Sequence, residues 1–343
     1  MRKCVYIIVF TTLFCGIIAH LRITESAGCT RTPHITEYNN TGKLRTQVPF
    51  ENTVDQNAFY FNSGHPSSNA EFDVYLHAVL QKVNSSSEHS LFAVNLGAND
   101  GKTIDPLYAL YAAGARGLLV ELDPGLFNEL QANVPWDRCI KVQSTISPMN
   151  INQILLDANV PREMDIFKID IDSYDVFVTD SMLLAKTFRP KIIIMEINEK
   201  IPPPLSFHVN YYTGPRWHGD HFYGASIQAI VSMLNQHDYI PVALDWNNLI
   251  LVDSVFAQQF SVLNQSVESL YSTGYWHRPG RTAAFPWNSN VDHWAATVRE
   301  NPLGVAREIF DFMINSASFK ESSQTFSLSF APADLLSGGT YLK

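Results

Sequence analysis

Residues 95–101, Asn95-Leu96-Gly97-Ala98-Asn99-Asp100-Gly101, follow the apolar run Leu91-Phe92-Ala93-Val94 and precede a segment of helical periodicity. A glycine turn between a strand and a helix is where backbone N–H groups approach a nucleotide-type ligand, because glycine accepts a positive φ and carries no Cβ. The next apolar run ends in Val120-Glu121-Leu122-Asp123-Pro124, which puts Glu121 20 residues after Gly101. A carboxylate at that strand end suits hydrogen bonding to the two hydroxyls of a ribose. Asp123, directly before Pro124, instead suits the cap of the following helix.

Outward from this loop, short apolar runs alternate with amphipathic segments. The runs predict strands over residues 91–96, 117–121, 140–144, 165–171 and 191–197, and helices over 106–113, 125–134, 151–158 and 176–188. That alternation is the mark of a parallel sheet built from βαβ units. A helix over 226–236 and a strand pair, 239–244 with 249–252 around Asp245-Trp246-Asn247-Asn248, close the pattern. Ahead of it, Phe72, Leu76, Val79, Leu80 and Val83 share one helical face. The expected fold class is α/β: a Rossmann-like sheet, mostly parallel with an antiparallel final hairpin, flanked by helices. The expected division is a leader over 1–27, a stem over 28–70, the α/β domain over 71–254 and a carboxy-terminal extension over 255–343 packing on it, with one helix over 305–314.

The chain has 343 residues, is 46% hydrophobic and carries a net charge of -9. That is enough for one large domain with extensions, and the absence of a lysine and arginine stripe speaks against a nucleic-acid partner. Met1-Arg2-Lys3 is basic, and residues 4–21 are apolar apart from Thr11, Thr12, Gly16 and His20. The run lies between a cleaved apolar region of about 7–15 residues and a spanning helix of about 20, so signal peptide and membrane anchor both stay open. Either way the chain is expected in the secretory pathway, as an ER or Golgi luminal protein, a single-pass type II membrane protein or a secreted one. Glycosylation triplets at Asn39, Asn84 and Asn264 fit that compartment. With Cys4 and Cys15 in the leader, Cys29 and Cys139 are the remaining candidate pair.

The segments VNLGANDG (94–101), VELDP (120–124), DIFKIDIDSYD (165–175) and KIIIMEIN (191–198) resemble, in order, the motifs of the FkbM-like S-adenosylmethionine-dependent methyltransferases. FYGASIQAI (222–230) and IPVALDWNNLILVD (240–253) extend the resemblance to about residue 253. The resemblance implies S-adenosylmethionine as cofactor and a Rossmann-like class I methyltransferase sheet. It implies Asn95, Gly97, Ala98, Asn99 and Gly101 around the methionine part, Glu121 on the ribose, Ser144 and Thr145 at the adenine edge, and Asp170 at the mouth of the active site. The chain departs from the family pattern at Asn95, where an acid is usual, and at Asp172-Ser173, where an acid-glycine pair is usual.

Methyl transfer from a sulfonium is an in-line displacement, so the protein aligns donor and acceptor, excludes water and takes up the acceptor's proton. Asp170 and Asp172 end the fourth strand, Glu196 and Asn198 the fifth, and strand alternation puts both members of each pair on one side. These four, with His208 as a general base, are the candidate catalytic groups. The same four are the candidate oxygen ligands of Mg²⁺ or Ca²⁺. Residues 199–224 read as a lid, stiffened by Pro202-Pro203-Pro204 and carrying Tyr211, Tyr212 and Trp217 as an acceptor platform. Within it, His218-Gly219-Asp220-His221 is either a transition-metal cluster or a polar surface loop. The expected function is O-methylation of a glycan or small-molecule hydroxyl. Two alternatives stand beside it: a catalytically silent methyltransferase-like protein that binds or traffics, and a Golgi glycosyltransferase using Asp170-Ile171-Asp172 as its metal–nucleotide motif.

Overall fold

The computed structural model describes residues 6–12, 19–25, 76, 79–83, 91–103, 105–213, 219–260, 265–321 and 325–330. Strands β1 (Tyr6–Thr12) and β2 (Ala19–Glu25) pair antiparallel, where the sequence predicts one continuous apolar segment. Their Ile, Val, Thr and aromatic residues favour extended backbone. Among the described residues no helix is long and apolar enough to cross a membrane. The stem, Cys29 and the glycosylation sites Asn39, Asn84 and Asn264 lie outside the described residues.

The central sheet has seven strands: β3 (Phe92–Leu96), β4 (Arg116–Glu121), β5 (Cys139–Gln143), β6 (Ile166–Ile169), β7 (Ile192–Glu196), β9 (Tyr239–Asp245) and β10 (Asn248–Asp253). Their order is β5-β4-β3-β6-β7-β10-β9. β4, β3, β6 and β7 pair in parallel with their neighbours, and β10 runs antiparallel to both β7 and β9. This is the expected Rossmann-like α/β sheet, mostly parallel with an antiparallel final hairpin. Helices α1 (Tyr108–Ala112), α2 (Pro124–Asn133), α3 (Ile151–Asp157), α4 (Asp175–Leu184) and α5 (Ile227–Leu234) connect the strands. The predicted strand over 165–171 stops at Ile169, because Asp175 Oδ1 and Oδ2 accept from the N–H groups of Ile171 and Ser173 and bend the chain into a loop. Asp123 caps α2 as expected, accepting from the N–H groups of Gly125 and Leu126.

Alternate residues of each strand feed two cores. Leu96, Leu118, Phe167, Ile169, Ile193 and Met195 pack on one face, and Ala93, Leu119, Ile166, Ile192 and Ile194 on the other. Leu76, Val79, Leu80 and Val83 join the second core as the lead-in periodicity predicts, while Phe72 lies outside the described residues. Cys139 is a buried free thiol.

Beyond β10 the chain is more regular than the single predicted helix. It contains α6 (Val267–Tyr271), α7 (Arg281–Ala284), α8 (Asn290–Thr297), α9 (Pro302–Ile314) and α10 (Ala317–Glu321). Helices as short as α6 and α7 span too few turns to write a periodic pattern. Val267, Leu270, Tyr271, Tyr275 and Phe285 enter the first core, so this extension is part of the domain's interior. A second sheet pairs β8 (Leu205–Val209) with β11 (Phe326–Phe330), and Phe207, Phe222, Phe319 and Phe326 stack around it.

A methyl group at Gly97, whose φ is +77, would stand 1.8 Å from the carbonyl oxygen of Asp170. Gly114, at φ +112, has nothing within 4 Å of the same position. Gly114→Ala is therefore expected to cost about 1–2 kcal/mol of backbone strain, and Gly97→Ala at least about 1–3 kcal/mol more from forced separation of packed backbone. Urea denaturation of the two variants measures the difference; equal losses would dismiss the collision.

Candidate functional site

From β3 the chain winds one way through β4 and β5 and then returns to β6 and β7 on the other side. A crevice opens beyond the carboxyl ends of strands where the winding direction reverses, which here is between β3 and β6. The glycine loop sits at that point. Gly97 and Ala98 donate to the Val120 carbonyl at 3.0 Å each, and Asp170 N–H donates to Leu96 O at 2.9 Å. Asn99 adopts φ 51, Asn99 Oδ1 accepts from Asp100 N–H at 2.7 Å, and Asp100 Oδ1 accepts from the N–H groups of Lys102 and Thr103.

Glu121 ends β4 and ties the loop together. Its Oε2 accepts from Asn99 N–H at 2.9 Å, and its Oε1 accepts from Leu122 and Asp123 N–H at 2.8 Å each. A carboxylate offers about four acceptor positions, so Oε2 keeps one for a further donor. Sequence spacing assigns Glu121 two ribose hydroxyls, whereas this geometry leaves room for one. Ser144 N–H donates to Glu121 O at 3.1 Å, and Thr145 is exposed beside it, which brings both residues to the rim next to Glu121.

A polar row crosses the second face of the sheet beneath the loop. Asn95 on β3 stands directly across from Lys168 on β6, and both are buried. Asn95 Nδ2 donates to Asp105 Oδ2 at 2.8 Å, while Asn95 Oδ1 is buried and has no hydrogen-bond partner. Asp105 Oδ1 accepts from Leu107 N–H at 2.8 Å. Burial pushes the Asp105 carboxyl up to about 6, against the opposing pull of Lys168 and of the hydrogen bonds from Leu107 and Asn95. Burial lowers Lys168, but Asp170, Asp105 and Glu196 outweigh it and hold the ammonium above its ordinary range. Neither Asp105 nor Lys168 was among the residues expected from sequence. The signal for Lys168 was its position inside an apolar strand buried on both faces, where an uncompensated cation is costly.

At the mouth of the crevice, Asp170, Asp172 and Glu196 converge, with one oxygen of each within 4.8 Å of the others. Burial first, and then the charge of Asp170, drive Asp172 and Glu196 well above the usual carboxylate range. Asp172 holds φ 53 and Asn247 Nδ2 donates to Glu196 Oε1. Behind them Asp175, fixed by two backbone donors, is pushed by burial up to about 6.

Asn198 lies two residues beyond Glu196, and its Oδ1 is buried without a hydrogen-bond partner. Its Nδ2 donates to the carbonyls of His221 and Tyr223, at 3.0 and 2.9 Å, so it braces the segment expected as a lid. β7 ends at Glu196, and strand alternation no longer governs the direction of a side chain two residues on. His208, on β8, lays its ring edge-on to Phe177 of α4 at 5.0 Å, and burial lowers its pKa, so it is neutral near pH 7. Its Nδ1 is buried without a partner. Tyr211 meets Tyr174, next to Asp175, edge-to-face at 4.9 Å. Trp217 and His218 lie outside the described residues, and His221 packs on Phe312 at 4.7 Å, with burial pushing it down to about 3.

The base of the supposed lid is anchored in the interior. Glu199 and Lys200 are both buried and paired at 2.9 Å. Tyr223 OH donates to Glu199 Oε2 at 2.7 Å, Asn288 Nδ2 to Glu199 Oε1 at 2.7 Å, and Tyr271 OH to Glu199 O at 2.7 Å. Burial alone would raise Glu199, yet Lys200 and these donors hold it below its ordinary range.

No family model and no curated protein matches the chain. Among solved structures, a S-adenosylmethionine-dependent methyltransferase from Clostridium acetobutylicum is similar over 55% of this chain and 92% of its own, with 10% identity and a TM-score of 0.35. The 1,6-didemethyltoxoflavin-N1-methyltransferase of Burkholderia thailandensis, bound to S-adenosylhomocysteine, is similar over 58% and 82%, with 10% identity and a TM-score of 0.34. The plantazolicin methyltransferase BamL, also with S-adenosylhomocysteine, is similar over 39% of this chain and 49% of its own, with 9% identity and a TM-score of 0.29. The chain thus spans about half the length of the last of these.

Asp105 and Asp175 sit near 6 in the folded protein against an ordinary 3.8, so between about pH 4 and 6 the native state holds protons that the unfolded chain has released. Their contribution makes stability fall as pH rises through that window, by about 1.4 kcal/mol for each pKa unit and group. Urea midpoints measured from pH 4.5 to 7 are expected to show a flatter profile for Asp105→Asn than for the wild type. An unchanged slope would refute the buried carboxylate.

Proposed function

We propose that the chain is an S-adenosylmethionine-dependent methyltransferase that O-methylates a hydroxyl of a glycan or small molecule in the secretory pathway. One observation carries it: at the switch point, Glu121 Oε2 and Asn95 Oδ1 each have acceptor capacity left beside the glycine loop. These are the places where the resemblance puts a ribose hydroxyl and an amino group, and both of those are donors. The residues present therefore fit the cofactor, with Gly97 to Gly101 along its methionine part and Ser144 and Thr145 at the rim for the adenine. The secretory setting is supported by the basic, apolar leader and the triplets at Asn39, Asn84 and Asn264.

S-adenosylmethionine, when bound, supplies an electrophilic methyl group on a sulfonium. The chain's own task is to place a nucleophilic oxygen opposite it and to take up its proton. Asp172 and Glu196 are raised in pKa by burial and by the charge of Asp170, which favours their holding a proton received from the acceptor. Tyr174 and Tyr211 form an aromatic wall one turn from these carboxylates, fitting an apolar or sugar face of the acceptor. A second reading, favoured by the convergence of three carboxylate oxygens within 4.8 Å, has Asp170, Asp172 and Glu196 hold Mg²⁺ or Ca²⁺ and orient the acceptor through it.

Isothermal titration of the folded full-length chain with S-adenosylmethionine and S-adenosylhomocysteine is expected to show one saturable site. Glu121→Ala is expected to weaken it at least about tenfold, or about 1.4 kcal/mol, with folding checked by circular dichroism. A folded wild-type chain that binds neither compound removes the enzyme in favour of a silent methyltransferase-like protein. Manganese-dependent turnover of a nucleotide sugar would reassign it to glycosyl transfer. Repeating the titration with Mg²⁺ and with chelator separates the two modes of handling the acceptor.

A further inference from the structure

The departure at Asn95 removes a negative charge from the place where a methyltransferase of this fold meets its cofactor's amino-acid part, and the structure shows where that charge has gone. Asp105 lies ten residues downstream, ahead of α1, and places Oδ2 2.8 Å from Asn95 Nδ2. Both side chains are enclosed, at 0% and 7% exposure. The contact also fixes the amide. With Nδ2 given to Asp105, Asn95 has its carbonyl oxygen left over, and that oxygen is buried without a donor. An enclosed acceptor without a protein donor is open to one from outside the chain, a water or the polar group of a ligand.

The charged groups that face Asp105 are Lys168 from β6 and Asp100 from the glycine loop, with the Tyr111 hydroxyl on α1. Lys168 is shared with Asp170, 3.4 Å from its Nζ, so it does not cancel both acids. The region beneath the loop therefore keeps a net negative potential although its strand-end residue is neutral.

Building on the methyltransferase reading, we propose that Asp105 is a positioning residue for cofactor binding. Through Asn95 it supplies the negative charge, and turns Asn95 Oδ1 toward the ammonium of the S-adenosylmethionine amino-acid part. Asn95 is the contact and Asp105 sets its orientation and polarity. The charge-assisted interaction usual at the strand end is preserved in two pieces.

The test separates this role from a structural one because the two predict opposite signs. In Asp105→Asn the new side chain still accepts from Leu107 N–H, the Asn95 amide flips to accept from its Nδ2, and a buried charge disappears. Tm is expected to hold or rise, while affinity for S-adenosylmethionine and S-adenosylhomocysteine, measured by titration calorimetry on the full chain, falls roughly tenfold. Affinity for 5′-methylthioadenosine, which lacks the amino-acid part, is expected to stay within about twofold. The exchanged pair Asn95→Asp with Asp105→Asn is expected to recover most of the S-adenosylmethionine affinity. Unchanged affinity in Asp105→Asn, or a parallel loss for 5′-methylthioadenosine with a lowered Tm, would overturn the proposal while leaving the methyltransferase reading intact. A wild-type chain that binds none of the three compounds would overturn both.

Discussion

The close approach of two backbone segments at the middle of the sheet is the constraint on which the rest depends. β3 and β6 are neighbours although they are far apart in sequence, and both chains leave the sheet at the same level. Their exits touch at Gly97 and the Asp170 carbonyl, with no space for a Cβ between them. Because the two loops cannot separate, everything attached to them is held in place. The loop after β3 is tied to Glu121 by Asn99 N–H, and the loop after β6 is curled by Asp175. The carboxylates of Asp170, Asp172 and Glu196 are thereby delivered to one opening without any of them lying within a regular strand interior.

Much of this was legible in the sequence, and for a physical reason. Parallel strands buried on both faces are predominantly apolar, so β3, β4, β6 and β7 announced themselves, and the edge strand β5 followed from its place in the alternation, with boundaries close to those observed. The glycine loop and Glu121 were legible because a turn with positive φ and a strand-end acid leave local marks. What escaped were features made by contacts distant in sequence. β8 pairs with β11 through residues such as Phe207 and Leu328, and no local pattern records such a partner. Asn198, grouped with Glu196 by strand alternation, also gives its Nδ2 to the carbonyls of His221 and Tyr223, contacts over more than twenty residues that no local pattern records. Glu199 and Lys200 read as the start of a polar lid, yet they are enclosed by Tyr223, Tyr271 and Asn288.

That last case bears on how the chain is anchored after β7. A buried ion pair with all its donors satisfied is costly to open, because removing one partner strands the other in a low-dielectric interior. The segment's entry is therefore fixed to the carboxy-terminal extension. Its far end is held as well, through Asn198 and through the second sheet. Between the two, Tyr211 meets Tyr174 edge-to-face. The extension, which sequence alone made an appendage, acts as the clamp that gives the crevice a stable wall.

Lys168 connects the mouth of the crevice to the region beneath the glycine loop. It is the cation opposite Asn95, it lies nearest to Asp170, and it lowers both Asp105 and Asp172. One buried ammonium thus sets the balance of two acidic groups with different tasks, one beneath the glycine loop and one at the mouth. A change of charge at either is felt at the other through Lys168, since the shielding of water is missing along the row. The residue that interrupts an otherwise apolar strand thus ties the carboxylates at the mouth electrostatically to the pair beneath the glycine loop.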